Sequence, residues 1–104
     1  MDTKKNKIIT SFRRIVHQNF SPSKIILFGS QATGKARKDS DYDFVVISPK
    51  FKKIEWEERG AKIYYLKRNI PAAMDIICLT PEEFEKKKNK LGVIREAVRE
   101  GIEI

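Results

Sequence analysis

Three short apolar runs, separated by polar and helix-forming sequence, decide what fold this chain can adopt. They are Lys24–Phe28, Phe44–Ile47 and Met74–Leu79. Each run is four to six residues long, which is typical of a buried β-strand and short for a core helix. Stretches with apolar residues at helical spacing lie before, between and after these runs. The order of elements therefore predicts an α/β domain in which helices flank a small sheet.

The predicted helices cover about Lys4–Gln18, Ser30–Lys35, Ile54–Arg68, Pro81–Lys90 and Leu91–Val98. The first helix is broken by Ser21-Pro22-Ser23, and the last one stops at Gly101. Thr80 and Glu83 have capping-box spacing around Pro81, which predicts a helix start at this point. The final residues, Ile102–Ile104, are expected to add a short edge strand.

Length and composition favour one domain that spans residues 1–104. No apolar run approaches the roughly 20 residues that a membrane-spanning helix requires, and the start of the chain has no segment of signal-peptide type. We therefore expect a cytoplasmic protein without a membrane partner. The single cysteine, Cys78, lies inside the third apolar run, so a small buried side chain is expected there rather than a nucleophile.

The charge balance favours anionic partners. The chain has 22 basic and 14 acidic residues, a formal net charge of +8, and such a balance raises encounter rates with nucleotide phosphates, RNA or acidic protein surfaces. The run Lys86-Lys-Lys88 lies beside Glu82, Glu83 and Glu85 in a predicted helix, which is typical of a solvated helix face. Nucleic acid is thus an open partner class that the sequence does not favour.

Two polar motifs stand at the ends of the first two apolar runs. Gly29-Ser30 follows the first run, and Asp41-Tyr-Asp43 begins the second. Residues two apart in a strand project to the same side, so both carboxylates project together. They repel each other unless a cation neutralises them, and an oxygen-only pair favours Mg²⁺ shared with substrate phosphates. The motifs predict a metal–nucleotide site; the alternative is a surface turn in which Asp caps backbone N–H groups.

The segments Gly29-Ser30-Gln-Ala32-Thr-Gly34 and Asp39-Ser40-Asp41-Tyr-Asp43 resemble the signature of the polymerase-beta-like nucleotidyltransferases. Within that superfamily the chain resembles the short, single-domain minimal nucleotidyltransferases. The resemblance implies a mixed, strongly twisted sheet and an enzyme that transfers a nucleoside monophosphate from a triphosphate to a hydroxyl. Thr33 is a departure, because many relatives carry Arg there, and this puts nucleotide affinity in question.

The expected site combines three carboxylates with a phosphate-binding turn. Asp41 and Asp43 can bridge two Mg²⁺ ions, which such a transfer uses to hold the attacking and leaving oxygens. Asp75 interrupts the third apolar run and is the candidate third carboxylate, as catalytic residue and metal ligand. The alternative role for Asp75 is a strand-start residue bonded to a neighbouring loop. By resemblance, Gly29 and Ser30 hold the terminal phosphates of ATP.

Four polar residues between the two motifs have supporting roles in this interpretation. Ser40 is expected to be a turn or cap residue that positions Asp41. Lys35, Arg37 and Lys38 either contact the triphosphate or are solvent-exposed, and the sequence leaves both alternatives open.

The resemblance also implies a partner. Minimal nucleotidyltransferases of this kind act as antitoxins of small helical HEPN toxins, and transfer AMP from ATP to a tyrosine of the toxin, in a homo- or hetero-oligomer. Two alternatives remain: a nucleotidyltransferase acting on a small molecule or RNA end, and a non-catalytic antitoxin that neutralises its toxin by binding alone.

Overall fold

The computed structural model describes residues 3–37 and 40–104. The elements in this part of the chain are the helix α1 (Thr3–Phe20), strand β1 (Lys24–Phe28), helix α2 (Ser30–Thr33), strand β2 (Tyr42–Ile47), a 3₁₀ helix (Pro49–Lys53), helix α3 (Trp56–Leu66), strand β3 (Met74–Leu79), helices α4 (Pro81–Lys87) and α5 (Val93–Glu100), and strand β4 (Ile102–Glu103). This order confirms the predicted α/β class.

The sheet is mixed, as the resemblance implied. Its strand order is β3-β2-β1-β4; β1 is antiparallel to both β2 and β4, whereas β2 and β3 are parallel. Strands β1 and β3 have the predicted bounds, and the short β4 lies at the sheet edge as expected. Strand β2 begins at Tyr42 instead of Phe44 because Tyr42 is buried and pairs with Met74 of β3. As a result, Asp43 lies inside the strand and Asp41 immediately precedes it.

Two apolar cores cover the two faces of the sheet. On the first face, strand residues such as Phe44 pack against α1 and the 3₁₀ helix, and the rings of Phe12 and Phe44 stack with centroids 4.2 Å apart. On the second face, residues of β1, β2 and β3 pack against α4 and α5. Because side chains alternate along a strand, Asp43 shares the second face with Val45, and Asp75 shares it with Leu79.

The helix bounds differ from the prediction where local packing or capping overrides the apolar pattern. Helix α1 continues to Phe20, whose ring contacts that of Phe51 at 4.8 Å between centroids. The 3₁₀ helix was not predicted, although the pair Ser48-Pro49 is a helix-start pattern; the Ser48 hydroxyl accepts a hydrogen bond from the Lys50 N–H at 3.1 Å. Helix α4 ends at Lys87 rather than near Lys90.

The predicted capping box at the start of α4 is present, and it is joined to α3 by a buried arginine. The Thr80 hydroxyl accepts from the Glu83 N–H at 3.2 Å, and Glu83 Oε1 accepts from the Thr80 N–H at 2.7 Å. Buried Arg59 donates to Glu83 at 2.6 Å and to the Cys78 carbonyl at 3.3 Å. Burial raises the pKa of the Glu83 carboxyl, but the hydrogen bonds from Thr80 and Arg59 outweigh it and lower the pKa below its ordinary value.

Cys78 follows the sequence-based expectation. Cys78 is buried, and burial raises the pKa of its thiol to about 12. The thiol is therefore neutral and has the predicted role of a small buried side chain. Among the residues that the structure describes, no helix combines the length and the apolar composition needed to cross a bilayer.

Two glycines give a matched test of the packing between α5 and β1. A Cβ on Gly101 would fall on the Ala97 carbonyl oxygen and on Cγ2 of Ile26, so Gly101→Ala should lower the free energy of unfolding by about 1–3 kcal/mol. Gly60 lies inside α3 with its nearest neighbour 4.0 Å from the added Cβ. Gly60→Ala should raise that free energy by about 0.5–1 kcal/mol, since alanine favours a helix.

Urea unfolding followed by circular dichroism measures both changes. Equal effects of the two substitutions would contradict the close packing of α5 against β1.

Candidate active site

The predicted phosphate-binding turn is a tight junction between β1 and α2. Gly29 has φ of +72°, a left-handed conformation that favours glycine. Its carbonyl oxygen accepts hydrogen bonds from the Ala32 and Thr33 N–H groups at 3.0 and 3.1 Å. Gly34 ends α2 in the αL conformation, with φ of +79° and ψ of 9°. The Gly29–Gly34 segment is therefore a short helix with a glycine at each end rather than an extended strand continuation.

Asp43 lies directly over Gly29. The two strands pair so that Phe28 is opposite Asp43, and a Cβ added to Gly29 would fall on Oδ2 of the Asp43 carboxylate. The absence of a side chain at Gly29 thus serves the carboxylate as well as the turn. The structure brings the predicted turn and one predicted metal ligand into contact.

Asp75 lies beside Asp43. The two residues are register partners in the parallel pairing of β2 and β3, and their carboxyl groups are within hydrogen-bonding reach of each other. Burial raises the pKa of the Asp43 carboxyl, and the negative charges of Asp75 and then Asp41 raise it further. The three carboxyl groups singled out in the sequence therefore interact as one electrostatic cluster, with Asp43 and Asp75 on the second face of the sheet.

Ser40, which directly precedes Asp41, is hydrogen-bonded to Arg37. Its backbone N–H donates to the Arg37 carbonyl at 3.0 Å, and its hydroxyl accepts from the Arg37 N–H at 2.8 Å. The buried Gln31 of α2 donates from Nε2 to the Ser40 carbonyl at 3.0 Å, and Lys5 of α1 donates to the Gln31 carbonyl. The sequence places Gln31 inside the glycine motif but gives no signal for its role.

The remaining motif residues lie toward solvent or outside the described chain. Thr33, Lys35 and Arg37 are exposed, and Ser30 is half-buried at the start of α2. Lys38 and Asp39, which also figured in the sequence analysis, lie outside the described residues.

The carboxylate cluster fits Mg²⁺ chemically. Across residues 3–37 and 40–104, no set of three or more His, Cys, Asp or Glu side chains forms a preformed metal cage. Mg²⁺ is, however, usually held by one or two carboxylates together with water and substrate phosphates. Asp43 and Asp75 offer such a pair of adjacent oxygen ligands, and their mutual repulsion is what a divalent cation relieves. Asp41, two residues before Asp43 in the chain, is exposed to solvent.

A cavity of about 870 Å³ lies between α1, the 3₁₀ helix and α3. It is at the end of β2 that is farther from Asp43. Its polar lining consists of an asparagine, a tyrosine and four lysines: Asn19, Tyr65, Lys50, Lys52, Lys53 and Lys62. Among the described residues, this lining contains no carboxylate that could hold Mg²⁺. The chemistry-bearing residues lie at the other end of the sheet.

Comparison with known proteins gives one family and several structural likenesses. Residues 9–104 match the sequence model of the nucleotidyltransferase domain family, whereas a comparison with curated protein sequences finds no match. A chain of the toxin–antitoxin MntA-HpeT, crystallised as a double Asp-to-Glu mutant, is 19% identical with a TM-score of 0.62, over 95% of this chain and 70% of that chain. A toxin–antitoxin chain crystallised with AMP-PNP is 22% identical with a TM-score of 0.58, over the same shares.

BolA1 from Arabidopsis thaliana is also similar, with 16% identity and a TM-score of 0.57 over 80% of this chain and 98% of that chain. Identities this low show the fold alone. The BolA1 likeness also illustrates that one arrangement of helices and strands serves unrelated proteins, so function must be argued from the site.

Gly29→Ala should disable the site through Asp43. The added methyl displaces the Asp43 carboxylate, so stabilisation of the protein by Mg²⁺ with ATP should be lost in a thermal-unfolding experiment. Gly34→Ala is the matched control, because Gly34 has a similar positive φ and no atom within 4 Å of the added Cβ. Both variants should lose about 1 kcal/mol or more through backbone strain, but Gly34→Ala should keep its response to Mg²⁺ and ATP. Loss of that response in both would contradict a specific role for the contact between Gly29 and Asp43.

Asp43→Asn should make the protein more stable in the absence of divalent cations. The substitution removes one of three neighbouring negative charges and keeps the shape of the side chain, so the free energy of unfolding at pH 7 should rise by up to about 1 kcal/mol. Urea unfolding in EDTA measures the change, and Mg²⁺ should then stabilise the wild type more than the variant. A less stable variant would show that the cluster is not under repulsion.

Proposed function

This chain belongs to the nucleotidyltransferase domain family, and from that membership we propose that it transfers AMP from ATP to a hydroxyl group of a partner protein. The observation that carries the proposal is the cluster of Asp43, Asp75 and Asp41 directly beside the Gly29 turn. A nucleotidyl transfer needs a phosphate-binding turn and carboxylates at a common point, and this is the combination on the second face of the sheet.

The transfer balances as a single displacement at phosphorus. The acceptor hydroxyl oxygen forms a bond to the α-phosphorus of ATP, the bond from that phosphorus to the bridging oxygen breaks, and pyrophosphate leaves with the electron pair. The hydroxyl proton passes to a carboxylate, for which Asp75 is the proposed base. Asp75 is exposed at the start of β3, so an acceptor side chain can reach it from solvent.

The other site residues would bind Mg²⁺ and orient the phosphates of ATP. Asp41 and Asp43, with Asp75, would hold two Mg²⁺ ions, which when bound neutralise charge on the α-phosphate and on the departing pyrophosphate. Gly29 lets the backbone approach the terminal phosphates, and Ser30 adds a hydroxyl at the same turn. Because Asp43 lies against Gly29, one backbone turn fixes the phosphates and the central carboxylate relative to each other.

We further propose that the acceptor is a tyrosine of a HEPN-type toxin and that this chain is the antitoxin. The support comes from two of the structural neighbours, both named as toxin–antitoxin chains. One was crystallised with AMP-PNP, a nonhydrolysable analogue of ATP. The other carries Asp-to-Glu changes at two positions two residues apart, which is the spacing of Asp41 and Asp43 in this chain.

Incubation of the chain and a HEPN-type toxin with Mg²⁺ and ATP labelled at the α-phosphate tests the proposal. Label should appear on the toxin and on a tyrosine-containing peptide. Asp75→Asn should lower the transfer rate by about 100-fold or more, because the proton acceptor is lost. The same variant should change the dissociation constant of ATP far less, since Gly29 and Ser30 remain.

Three results would overturn parts of this proposal. Label on an RNA end or a small molecule, with none on the toxin, would identify a different acceptor class. Full neutralisation of the toxin by the Asp41→Ala/Asp43→Ala double variant would favour an antitoxin that acts by binding alone. Absence of label from every acceptor, with the toxin active, would remove the catalytic assignment.

A further inference from the structure

A second cavity begins at the side chain next to the carboxylate cluster. Phe28 is directly opposite Asp43 in the antiparallel pairing of β1 and β2, so both side chains lie on the same face of the sheet. Phe28 is half-buried against the core beneath α5. From its ring a cavity of about 460 Å³ extends along α5. We call it the α5 pocket; its lining residues are Phe28, Leu91, Gly92, Val93, Arg95, Glu96 and Arg99.

Part of the α5 pocket is lined by apolar side chains, two of them exposed to solvent. Leu91 and Val93 are 91% and 54% exposed, unusually high for aliphatic side chains, and they face the same cavity as the Phe28 ring. An aromatic ring together with aliphatic side chains is a suitable surface for a flat heterocyclic base, whose stacking on such a ring is worth about 1–3 kcal/mol.

Two guanidinium groups line the same pocket. Arg95 and Arg99 are four residues apart, so they lie on one side of α5. In the described part of the chain, neither guanidinium group forms a hydrogen bond or an ion pair. Guanidinium groups bind phosphate oxygens through two parallel hydrogen bonds. Glu96, between them in sequence, offers an acceptor for hydroxyl or amino groups and repels phosphate.

We propose that the α5 pocket holds the nucleoside of ATP, with the base against Phe28 and Val93, and that Arg95 and Arg99 bind the phosphates. This assignment rests on the proposed function and adds four substrate-binding residues to it. Thr33 of α2 is uncharged and stands where many relatives carry Arg. Arg95 and Arg99 of α5 would supply positive charge to the triphosphate in its place.

The charge and size of the pocket favour the nucleotide over the acceptor. ATP carries several negative charges that two unpaired arginines match, whereas an acceptor hydroxyl is neutral and needs no guanidinium. A cavity of about 460 Å³ is also within the usual range for small-molecule sites, about 300–1,000 Å³. Its position next to Asp43 lets one ligand reach from the base pocket to the Gly29 turn.

Calorimetric titration of the full chain with ATP and with tripolyphosphate, both with Mg²⁺, tests the assignment. The Arg95→Gln/Arg99→Gln double variant should weaken binding of both ligands by about tenfold or more, the loss expected for charge-assisted hydrogen bonds. Phe28→Leu should weaken ATP by about fivefold or more and leave tripolyphosphate unchanged, because only ATP has a base to stack.

The matched control is Arg13→Gln/Arg14→Gln. It removes the same two charges from exposed positions on α1, which packs on the opposite face of the sheet, and should change either affinity less than about twofold. Val93→Asp is a second pocket variant at an exposed position; it should weaken ATP binding even if Phe28→Leu fails to fold.

The outcomes separate this inference from the proposed function. Unchanged ATP affinity in the double arginine variant and in Val93→Asp would overturn the assignment of the α5 pocket to ATP. Transfer activity that persists in those variants would leave the proposed function standing. Unchanged ATP affinity with a raised KM for the acceptor also overturns it and assigns the pocket to the acceptor. A wild-type chain that binds neither ligand overturns both proposals.

Discussion

The contact between the Asp43 carboxylate and Gly29 is the constraint on which the site depends. It exists because β1 and β2 pair with Phe28 opposite Asp43, which places the end of one strand against the beginning of the next. Any side chain at Gly29 would occupy the space of Asp43 Oδ2. The turn that is proposed to hold phosphates and the carboxylate that is proposed to hold metal therefore lie in direct contact, and the space at Gly29 is needed by both.

The parallel pairing of β2 and β3 completes the cluster at a cost in stability. It sets the exposed Asp75 beside the half-buried Asp43, so like charges are held close together, an arrangement that destabilises the folded state unless a cation neutralises it. The apolar cores on both faces of the sheet offset this cost, since Phe12 and Phe44, among others, are fully buried. A binding site that is strained in the free protein and relieved by its ligand is a common compromise between stability and function.

Sequence patterns predicted the elements better than they predicted the contacts between them. The bounds of β1 and β3 follow from apolar runs that end at Gly29 and at the Thr80 capping box, both of which are local features. The start of β2 was placed two residues late, because the burial of Tyr42 depends on its neighbour in β3. Period-two spacing put Asp41 and Asp43 on one side, and Asp75 was singled out as a charge inside an apolar run. The contact of Asp43 with Gly29, the bridge from Gln31 to Ser40, and the α5 pocket join segments far apart in sequence, and no local pattern encodes them.

Helix α5 packs on the sheet with one face and lines the α5 pocket with the other. The close packing at Gly101 couples the two faces. Ile94 and Ala97 seal the core beneath the sheet, while Arg95 and Arg99 line the outer pocket. A helix seated so tightly on β1 transmits any shift of its buried side to its solvent side. A change in packing at Ala97 would thus move the two arginines, so residues that never contact the proposed nucleotide could alter the selectivity of that site.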